Sequence, residues 1–358
     1  RGQGGARRCC EYLMKIPIRL LALLGLAPSI ASTVAAAAPD RPNVLIIYAD
    51  DLGYGDVRCY NPERCKIPTP NIDRLAAEGI RFTNTATTVP FTLPAHSSIM
   101  TGTYPPYHGV RENVGYFLDE DIPTIAELLA ENGYYTTAFV SAFVLDARWG
   151  IARGFDNYFD DFDVASQRQI NMASVQRDGG ETVAETVRWL DQRPPGPFFL
   201  WLHLFDPHEP YTPPEPYLSR YAHPYEGEIA YTDELIGEFR AALEERGLLA
   251  SSLLIVTGDH GEGLGDHGEG YHGYFVYDST VHVPLIIRPP FADLAGRVVT
   301  EPVSHVDLQP TILAAVGLEP PHVAQGASLI PSLFGLSGIQ SRAVYTESYY
   351  PLFHYCLL

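Results

Sequence analysis

Two apolar runs are the clearest feature of the hydrophobic pattern. Residues 43–49 and 252–257 are rich in large apolar side chains, which is typical of buried strands in a parallel sheet. The first run leads directly into the pair Asp50-Asp51, and the second leads, after one glycine, into Asp259-His260. Ligands of open α/β sheets bind at the carboxyl ends of the strands. We therefore expect these polar pairs to meet at one edge of a sheet.

Helical and strand-like patterns alternate along the rest of the chain. Apolar residues at helical spacing predict helices at 71–78, 124–131, 181–191 and 231–246. Apolar runs predict further strands at 133–144, 197–205, 284–287 and 343–347. This alternation predicts one large α/β domain, in which helices sandwich a mostly parallel central sheet.

Residues 89–102 place a hydroxyl beside the predicted start of a helix. Thr92 precedes Pro94 by two residues, and proline is favoured at the first helical position. The N-terminus of a helix favours an anion, so Thr92 is well placed to meet a phosphate or sulfate. A threonine hydroxyl acts as a nucleophile when a metal ion lowers its pKa. The alternative is that Thr92 only caps the helix.

The candidate metal ligands are Asp50, Asp51, Asp259 and His260. Carboxylate oxygens with one imidazole suit Ca²⁺, Mg²⁺ or Mn²⁺, and Zn²⁺ is also compatible. The alternative is ordinary turn and cap formation after the strands. Two such pairs, with Thr92 between them in sequence, favour a metal site.

Several motifs follow one another along the chain: Arg41-Pro42-Asn43 to Asp51-Leu52-Gly53-Tyr54-Gly55-Asp56, Thr69-Pro70-Asn71-Ile72-Asp73-Arg74-Leu75-Ala76-Ala77-Glu78-Gly79, Asp206-Pro207-His208-Glu209-Pro210-Tyr211, Asp259-His260-Gly261-Glu262 and Val283-Pro284-Leu285-Ile286. Together they resemble the sulfatase family, which belongs to the alkaline phosphatase superfamily. The resemblance covers residues 41–347 and implies an alkaline-phosphatase-like fold. It also implies that the four candidate metal ligands occupy the metal positions of the family.

The chain departs from this family at the nucleophile. Sulfatases carry Cys or Ser there, oxidised to formylglycine within a pattern that ends in Arg. Here Thr92 takes that position and His96 stands in place of the Arg. The β-carbon of threonine carries a methyl group and cannot become that aldehyde. We therefore expect no formylglycine, and direct attack by the Thr92 hydroxyl.

The lysines of a sulfatase are a second departure. The family holds the sulfate oxygens with two lysines, expected here near residues 140–145 and 271–274, and neither stretch contains one. Lys66, the single lysine after residue 38, lies elsewhere. Arginine replaces the charge of a lysine but not its geometry. The sulfate clamp is largely missing, which favours phosphate esters at least as strongly as sulfate esters.

A second resemblance is to the nucleotide pyrophosphatase/phosphodiesterases, which use a Thr nucleophile followed by an Asn that hydrogen-bonds a phosphoryl oxygen. Thr92 and Asn113 match these two roles. Those enzymes bind two zinc ions, whereas the 206–208 motif here has the sulfatase spacing.

Three histidines are candidates for the remaining roles, and a fourth is predicted to be structural. His208, in a Pro-rich loop, is predicted to protonate or hydrogen-bond the leaving oxygen, and His272 to bind the oxygens of the transferred group or a second metal. His96 either replaces the family's Arg in catalysis or supports the helix start. His203, inside an apolar strand, is predicted to be a packed core residue.

The two ends of the chain and its net charge give expectations about processing, location and partners. Residues 1–13 are predicted to be an upstream artefact, 14–38 a signal peptide, 41–347 the catalytic domain and 348–358 a truncated or aberrant end, with the family's C-terminal subdomain missing. We therefore expect export to the periplasm or the extracellular space, and no stable membrane span after cleavage. A net charge of −19 disfavours nucleic-acid binding.

The predicted function is that of a metal-dependent hydrolase of anionic sulfate or phosphate esters. One alternative is a transferase that passes the group from Thr92 to an alcohol acceptor, as lipoteichoic-acid-synthase-like phosphotransferases do. The other is an inactive relative that binds anions.

Overall fold

The computed structural model describes residues 41–162, 175–290, 294–334, 342–349 and 354–357. The predicted artefact at 1–13 and the predicted signal peptide at 14–38 lie outside the described residues, as do 350–353 and 358 of the predicted aberrant end. Within the described part of the chain, no helix has both the length and the apolar character needed to cross a membrane.

Among the described residues, nine strands form one sheet in the order β4-β3-β5-β1-β6-β7-β2-β8, with β9 also paired to β2, and two more form a separate hairpin. The strands are β1 (Asn43–Ala49), β2 (Ile80–Ala86), β3 (Tyr135–Phe139), β4 (Asn157–Phe159), β5 (Phe198–Leu204), β6 (Ser252–Gly258), β7 (His282–Arg288), β8 (Arg297–Val299), β9 (Val303–Ser304), β10 (Tyr345–Ser348) and β11 (His354–Leu357). Within the large sheet only β7 runs antiparallel to its neighbours, β6 and β2. The prediction of a mostly parallel sheet is confirmed.

The described part of the chain contains ten α-helices. They are α1 (Pro70–Glu78), α2 (Thr92–Thr101), α3 (Pro105–His108), α4 (Ile125–Glu131), α5 (Gly179–Gln192), α6 (Tyr217–Arg220), α7 (Pro224–Glu245), α8 (Asp278–Val281), α9 (Leu308–Ala315) and α10 (Ile330–Leu333). Each face of the sheet has its own apolar core, and successive side chains of β1 point to opposite faces. Ile46 packs with α2, α4 and α9 on one face, whereas Ile47 packs with α1, α5 and α7 on the other. The sheet is therefore sandwiched by helices, as predicted.

The three central strands end at the same level. Ala49, the last residue of β1, is in register with Leu204 of β5 on one side and Gly258 of β6 on the other. All residues of β1 and β6 are buried, which explains their continuous apolar runs. This register brings the segments after β1, β5 and β6 together at one edge.

The structure corrects the bounds of two predicted elements and adds a strand that was not predicted. The strand predicted at 133–144 is limited to β3, and residues 143–145 form a short 3₁₀ turn. The helix predicted to begin at residue 231 begins at Pro224, because His223 accepts a capping hydrogen bond from the Tyr225 N–H. Sequence reasoning missed β2, whose partly buried, Thr-rich pattern is weaker than that of a central strand.

A buried acid pair connects α7 to the segment after β5. Glu228 is 1% exposed and hydrogen-bonds to Asp206, whose Oδ2 accepts a hydrogen bond from the Gly179 N–H at 3.0 Å. Burial raises the pKa of Glu228 from 4.5 to about 9, and the Asp206 carboxyl adds to this rise. Glu228 is therefore protonated in the folded chain at neutral pH.

This pair predicts a pH-dependent effect of Glu228→Gln. The folded chain binds a proton that the unfolded chain lacks between about pH 5 and about pH 9, so stability falls as pH rises through this window. A neutral amide removes that loss. We expect the melting temperature of Glu228→Gln to match the wild type near about pH 5 and to exceed it by at least about 2 °C near about pH 8.5.

Glu238→Gln, at an exposed position of the same helix, is the matched control and should show no such gain. An equal change at both pH values in Glu228→Gln would contradict the protonation argument.

Candidate active site

Thr92 is the first residue of α2, and its hydroxyl faces the ends of β1 and β6. The residue is 1% exposed, and Oγ1 lies 3.4 Å from Asp50 Oδ1 and 3.4 Å from His260 Nε2. Phe91 occupies the N-cap position, and the helix begins two residues before Pro94. The capping alternative for Thr92 is therefore not what the structure shows.

Asn113 lies beside this helix start. Its Oδ1 accepts a hydrogen bond from the Leu93 N–H at 2.8 Å, which satisfies one of the unpaired N–H groups of the first turn. The hydrogen bond fixes the amide next to Thr92. The structure thus places Asn113 beside Thr92, and its binding role stays a prediction.

Asp50, Asp259 and His260 converge in front of Thr92. All three are fully buried, and one ligand atom of each lies within 4.8 Å of the others. His260 Nε2 is 3.3 Å from Asp259 Oδ2 and 3.7 Å from Asp50 Oδ1. These three predicted metal ligands therefore form one compact group with the Thr92 hydroxyl.

Asp51, the fourth predicted ligand, lies on the other side of the His260 ring. Its Oδ1 is 3.0 Å from His260 Nδ1 and 3.0 Å from His272 Nδ1. Its φ of 62° is unusual for a residue with a side chain. The Asp51 N–H donates to Asp259 Oδ1 at 3.3 Å, and the Tyr225 hydroxyl donates to the Asp51 carbonyl at 2.8 Å. These contacts hold the strained backbone in place.

The carboxylate oxygens of this cluster fit a divalent cation. Asp50 Oδ2, both Asp51 oxygens and Asp259 Oδ2 are buried and have no hydrogen-bond partner among the described residues. A buried carboxylate without a donor is costly, and a cation with oxygen and imidazole ligands removes that cost. The donor set suits Ca²⁺, Mg²⁺, Mn²⁺ or Zn²⁺.

Burial and neighbouring charges shift the pKa values of the three aspartates, upward for Asp50 and Asp259 and downward for Asp51. Burial raises the pKa of Asp50 to about 7, and burial together with the nearby Asp50 carboxylate raises the pKa of Asp259 well above its usual range. Burial also raises the pKa of Asp51, but the His272 and His208 imidazoles outweigh it and hold that pKa well below its usual range.

His208 and His272 lie at the open side of the cluster. His208 Nε2 is 3.9 Å from Asp51 Oδ2, and its ring packs on Phe205 at 4.3 Å. The rings of His208 and His272 are 5.4 Å apart. Both side chains are only partly buried, at 13% and 12% exposure, so a ligand that approaches the buried acids meets these two imidazoles.

Glu262 was missed as a site residue, although it directly follows the Asp259-His260-Gly261 motif. Its Oε2 lies 3.5 Å from His272 Nδ1 and accepts a hydrogen bond from the Tyr211 hydroxyl at 3.0 Å. Burial lowers the pKa of His272, but Asp51 and Glu262 outweigh it and raise that pKa well above its usual range. The signal for each residue was its position in a motif of the resemblance, residues 259–262 for Glu262 and residues 206–211 for Tyr211.

His96 lies beneath the nucleophile and not beside it. It is fully buried, and its Nδ1 lies 2.8 Å from the Thr92 carbonyl and 3.8 Å from Asp259 Oδ2. Burial lowers the pKa of His96 well below its usual range. The imidazole therefore donates to the Thr92 backbone as a neutral group and supports the helix start.

His203 is buried, as predicted, but it also contacts the cluster. Its Nε2 lies 3.5 Å from Asp50 Oδ2. Burial lowers the pKa of His203 to about 3, so the ring is neutral. Sequence reasoning gave this residue no role beyond packing.

Among the described residues, Asp50, Asp51 and Asp259 form ion pairs with histidines and with no lysine or arginine. Lys66 has 82% of its side chain exposed and pairs with Glu226 at 3.9 Å.

Comparisons with known proteins give one consistent result. The sulfatase family model matches residues 42–318. Human arylsulfatase D is 26% identical over 436 residues, covering 88% of this chain and 71% of that protein. The uncharacterized sulfatase YidJ of Escherichia coli (strain K12) is 28% identical over 360 residues, covering 81% and 71%. The structure of the phosphonate monoester hydrolase of Agrobacterium radiobacter has a TM-score of 0.74 at 24% identity, covering 86% of this chain and 80% of that one.

The site predicts that Asp259→Asn weakens the binding of a divalent cation. Asparagine keeps the shape of the side chain but removes the charge that opposes the cation. We expect the wild-type chain to retain Mn²⁺ on gel filtration and to melt at a higher temperature with Mn²⁺ than with a chelator. Asp259→Asn should lose both effects.

Asp266→Asn, at an exposed acid later in the same loop, is the matched control. Elemental analysis gives the bound metal. Equal metal content in wild type and Asp259→Asn would contradict the assignment.

Proposed function

The chain belongs to the sulfatase family and is an ester hydrolase, and from this premise we propose that it cleaves sulfate or phosphate esters by direct attack of Thr92. Phosphate esters are favoured at least as strongly as sulfate esters. The observation that carries the proposal is the position of Thr92 Oγ1, 3.4 Å from both Asp50 Oδ1 and His260 Nε2 at the start of α2. Export of the enzyme stays a prediction from residues 14–38.

In this proposal Asp50, Asp51, Asp259 and His260 hold a divalent cation. When bound, the cation lowers the pKa of the Thr92 hydroxyl and offsets the negative charge of the ester. No formylglycine takes part, because threonine keeps its methyl group and its hydroxyl.

The reaction has two steps at Thr92. Thr92 Oγ1 loses its proton to solvent and forms a bond to phosphorus or sulfur while the opposite bond, to the leaving oxygen, breaks, and His208 gives its proton to that oxygen. Water then attacks the same centre and returns one proton to His208. The bond to Thr92 Oγ1 breaks, this oxygen takes a proton from solvent, and the phosphate or sulfate product leaves. In each step the phosphorus or sulfur atom exchanges one bond to oxygen for another.

Two side chains hold the transferred group. Asn113, fixed by its hydrogen bond from Leu93, donates from Nδ2 to one oxygen. His272, clamped between Asp51 and Glu262, faces the same group from the opposite loop. His96 contributes from below by holding the Thr92 carbonyl.

The preference for phosphate esters rests on the missing lysines and on Thr92 as the nucleophile. The side chains that pair with the cluster are imidazoles, where a sulfatase uses lysines. A fold neighbour is named a phosphonate monoester hydrolase, so this fold also serves phosphorus centres. Its identity of 24% supports only the fold.

The nucleophile assignment predicts that Thr92→Ala lowers kcat for bis-nitrophenyl phosphate by about 10³-fold or more, since the covalent step is lost. The metal content should stay unchanged, because the carboxylates remain. Stopped assays with elemental analysis check both.

Thr92→Ser, which keeps a hydroxyl, should retain measurable turnover. Full activity of Thr92→Ala would rule out Thr92 as the nucleophile.

The substrate assignment predicts that the wild type, loaded in turn with Mn²⁺, Ca²⁺ and Zn²⁺, turns over nitrophenyl phosphate or bis-nitrophenyl phosphate at least as fast as nitrophenyl sulfate. Release of nitrophenol measures all three. Turnover of the sulfate alone would contradict the preference, and no turnover of any ester would favour the inactive anion-binding relative. Added glycerol distinguishes transfer from hydrolysis, because a transferase would yield glycerol phosphate in place of inorganic phosphate.

A further inference from the structure

Three fully buried histidines form a layer beneath the carboxylates. His96, His203 and His305 come from α2, β5 and the turn after β9, and each has no exposed surface. A buried polar group is costly unless it is hydrogen-bonded. His96 Nδ1 lies 2.8 Å from the Thr92 carbonyl, and His305 Nε2 lies 3.4 Å from Thr257 Oγ1. His203 differs, because neither of its ring nitrogens has a hydrogen-bond partner in the part of the chain that the structure describes.

A carboxylate oxygen close to the His203 ring also has no donor. Asp50 Oδ2 is buried and unpartnered among the described residues, and it lies 3.5 Å from His203 Nε2. A hydrogen bond between nitrogen and oxygen has a length of about 2.7–3.2 Å. A movement of a few tenths of an ångström therefore satisfies both buried atoms at once.

The two oxygens of Asp50 face different neighbours. Oδ1 lies 3.4 Å from Thr92 Oγ1 and 3.7 Å from His260 Nε2, on the side of the reaction. Oδ2 faces His203. A donor that fixes Oδ2 also fixes the direction in which Oδ1 points.

The position of His203 is rigid. It lies in the central strand β5, in register with Tyr48 of β1, and its ring centroid is 5.0 Å from that of His96. The Ser141 hydroxyl donates to its carbonyl at 2.5 Å. A ring held in this way is suited to orient a neighbouring carboxylate.

We propose that His203 is a positioning residue for Asp50: its Nε2–H donates to Asp50 Oδ2 and thereby aims Oδ1 at the cation and at Thr92. This inference rests on the proposed function only in taking Asp50 as a cation ligand. Groups that orient metal ligands typically change metal affinity by about 10–100-fold when they are removed.

The test is Mn²⁺ binding by isothermal titration calorimetry with the full chain. His203→Phe keeps an aromatic ring of similar size but has no N–H, and we expect its Kd for Mn²⁺ to rise by about 10–100-fold. His203→Gln places an amide N–H near the position of Nε2 and should recover most of the affinity. Thermal melts in a chelator report whether each variant is folded.

The matched control is His108→Gln. His108 is a histidine 1% exposed whose Nε2 lies 3.0 Å from Ser98 Oγ, and no contact between it and the carboxylates of the site is recorded among the described residues. It should lose stability without losing Mn²⁺ affinity.

Three outcomes overturn the inference: a folded His203→Phe that binds Mn²⁺ like the wild type, a His203→Gln no better than His203→Phe, or an equal loss of affinity in His108→Gln. If His203→Phe does not fold, His203→Asn decides instead. Its shorter amide falls short of Asp50, so it must bind Mn²⁺ more weakly than His203→Gln. None of these affinities depends on substrate, so an inactive wild type would overturn the proposed function and leave this inference standing.

Discussion

The repulsion between buried carboxylates is the constraint on which the rest of the site depends. Ligand atoms of Asp50 and Asp259 lie within 4.8 Å of each other, and two like charges at that distance repel by about 3–4 kcal/mol at an effective dielectric constant of about 20. The ion-pair partners of these acids in the described residues are imidazoles and not lysine or arginine. A divalent cation bound here would remove the repulsion, and in the proposed function it would also lower the pKa of the Thr92 hydroxyl.

The sheet makes this crowding possible. Because β5, β1 and β6 end in register, the chain after each strand reaches the same edge without long loops. The strand cores on both faces are apolar and continuous, so the packing of the sheet offsets the cost of the polar edge. The start of α2 then presents Thr92 to that edge. The burial of the charged site therefore depends on the packing of the apolar sheet.

The sequence predicted the parts of this site that stand directly after apolar strands. Asp50 and Asp259 were found because β1 and β6 have unbroken apolar runs, and the motifs correctly indicated the family. The contact of His203 with Asp50 was not predicted, because an apolar run does not reveal that β5 lies next to β1. Tyr211 and Glu262 were missed for the same reason, since their hydrogen bond joins loops that are far apart in sequence.

The start of α2 shows the limit of local rules. Proline at the first helical position is a common pattern, yet the helix begins at Thr92, where tertiary contacts with Asp50 and His260 compete with that preference. The missing lysine clamp, by contrast, could be read directly from the sequence, because the absence of a residue type needs no geometry. What sequence reasoning could not supply was the relative position of side chains on different strands.

Anomalous diffraction from crystals soaked in Mn²⁺ tests the central claim most directly. The account predicts one strong peak bounded by Asp50, Asp259 and His260, with metal–ligand distances of about 2.0–2.6 Å and the Thr92 hydroxyl beside it. A peak elsewhere, or none at saturating Mn²⁺, would contradict it.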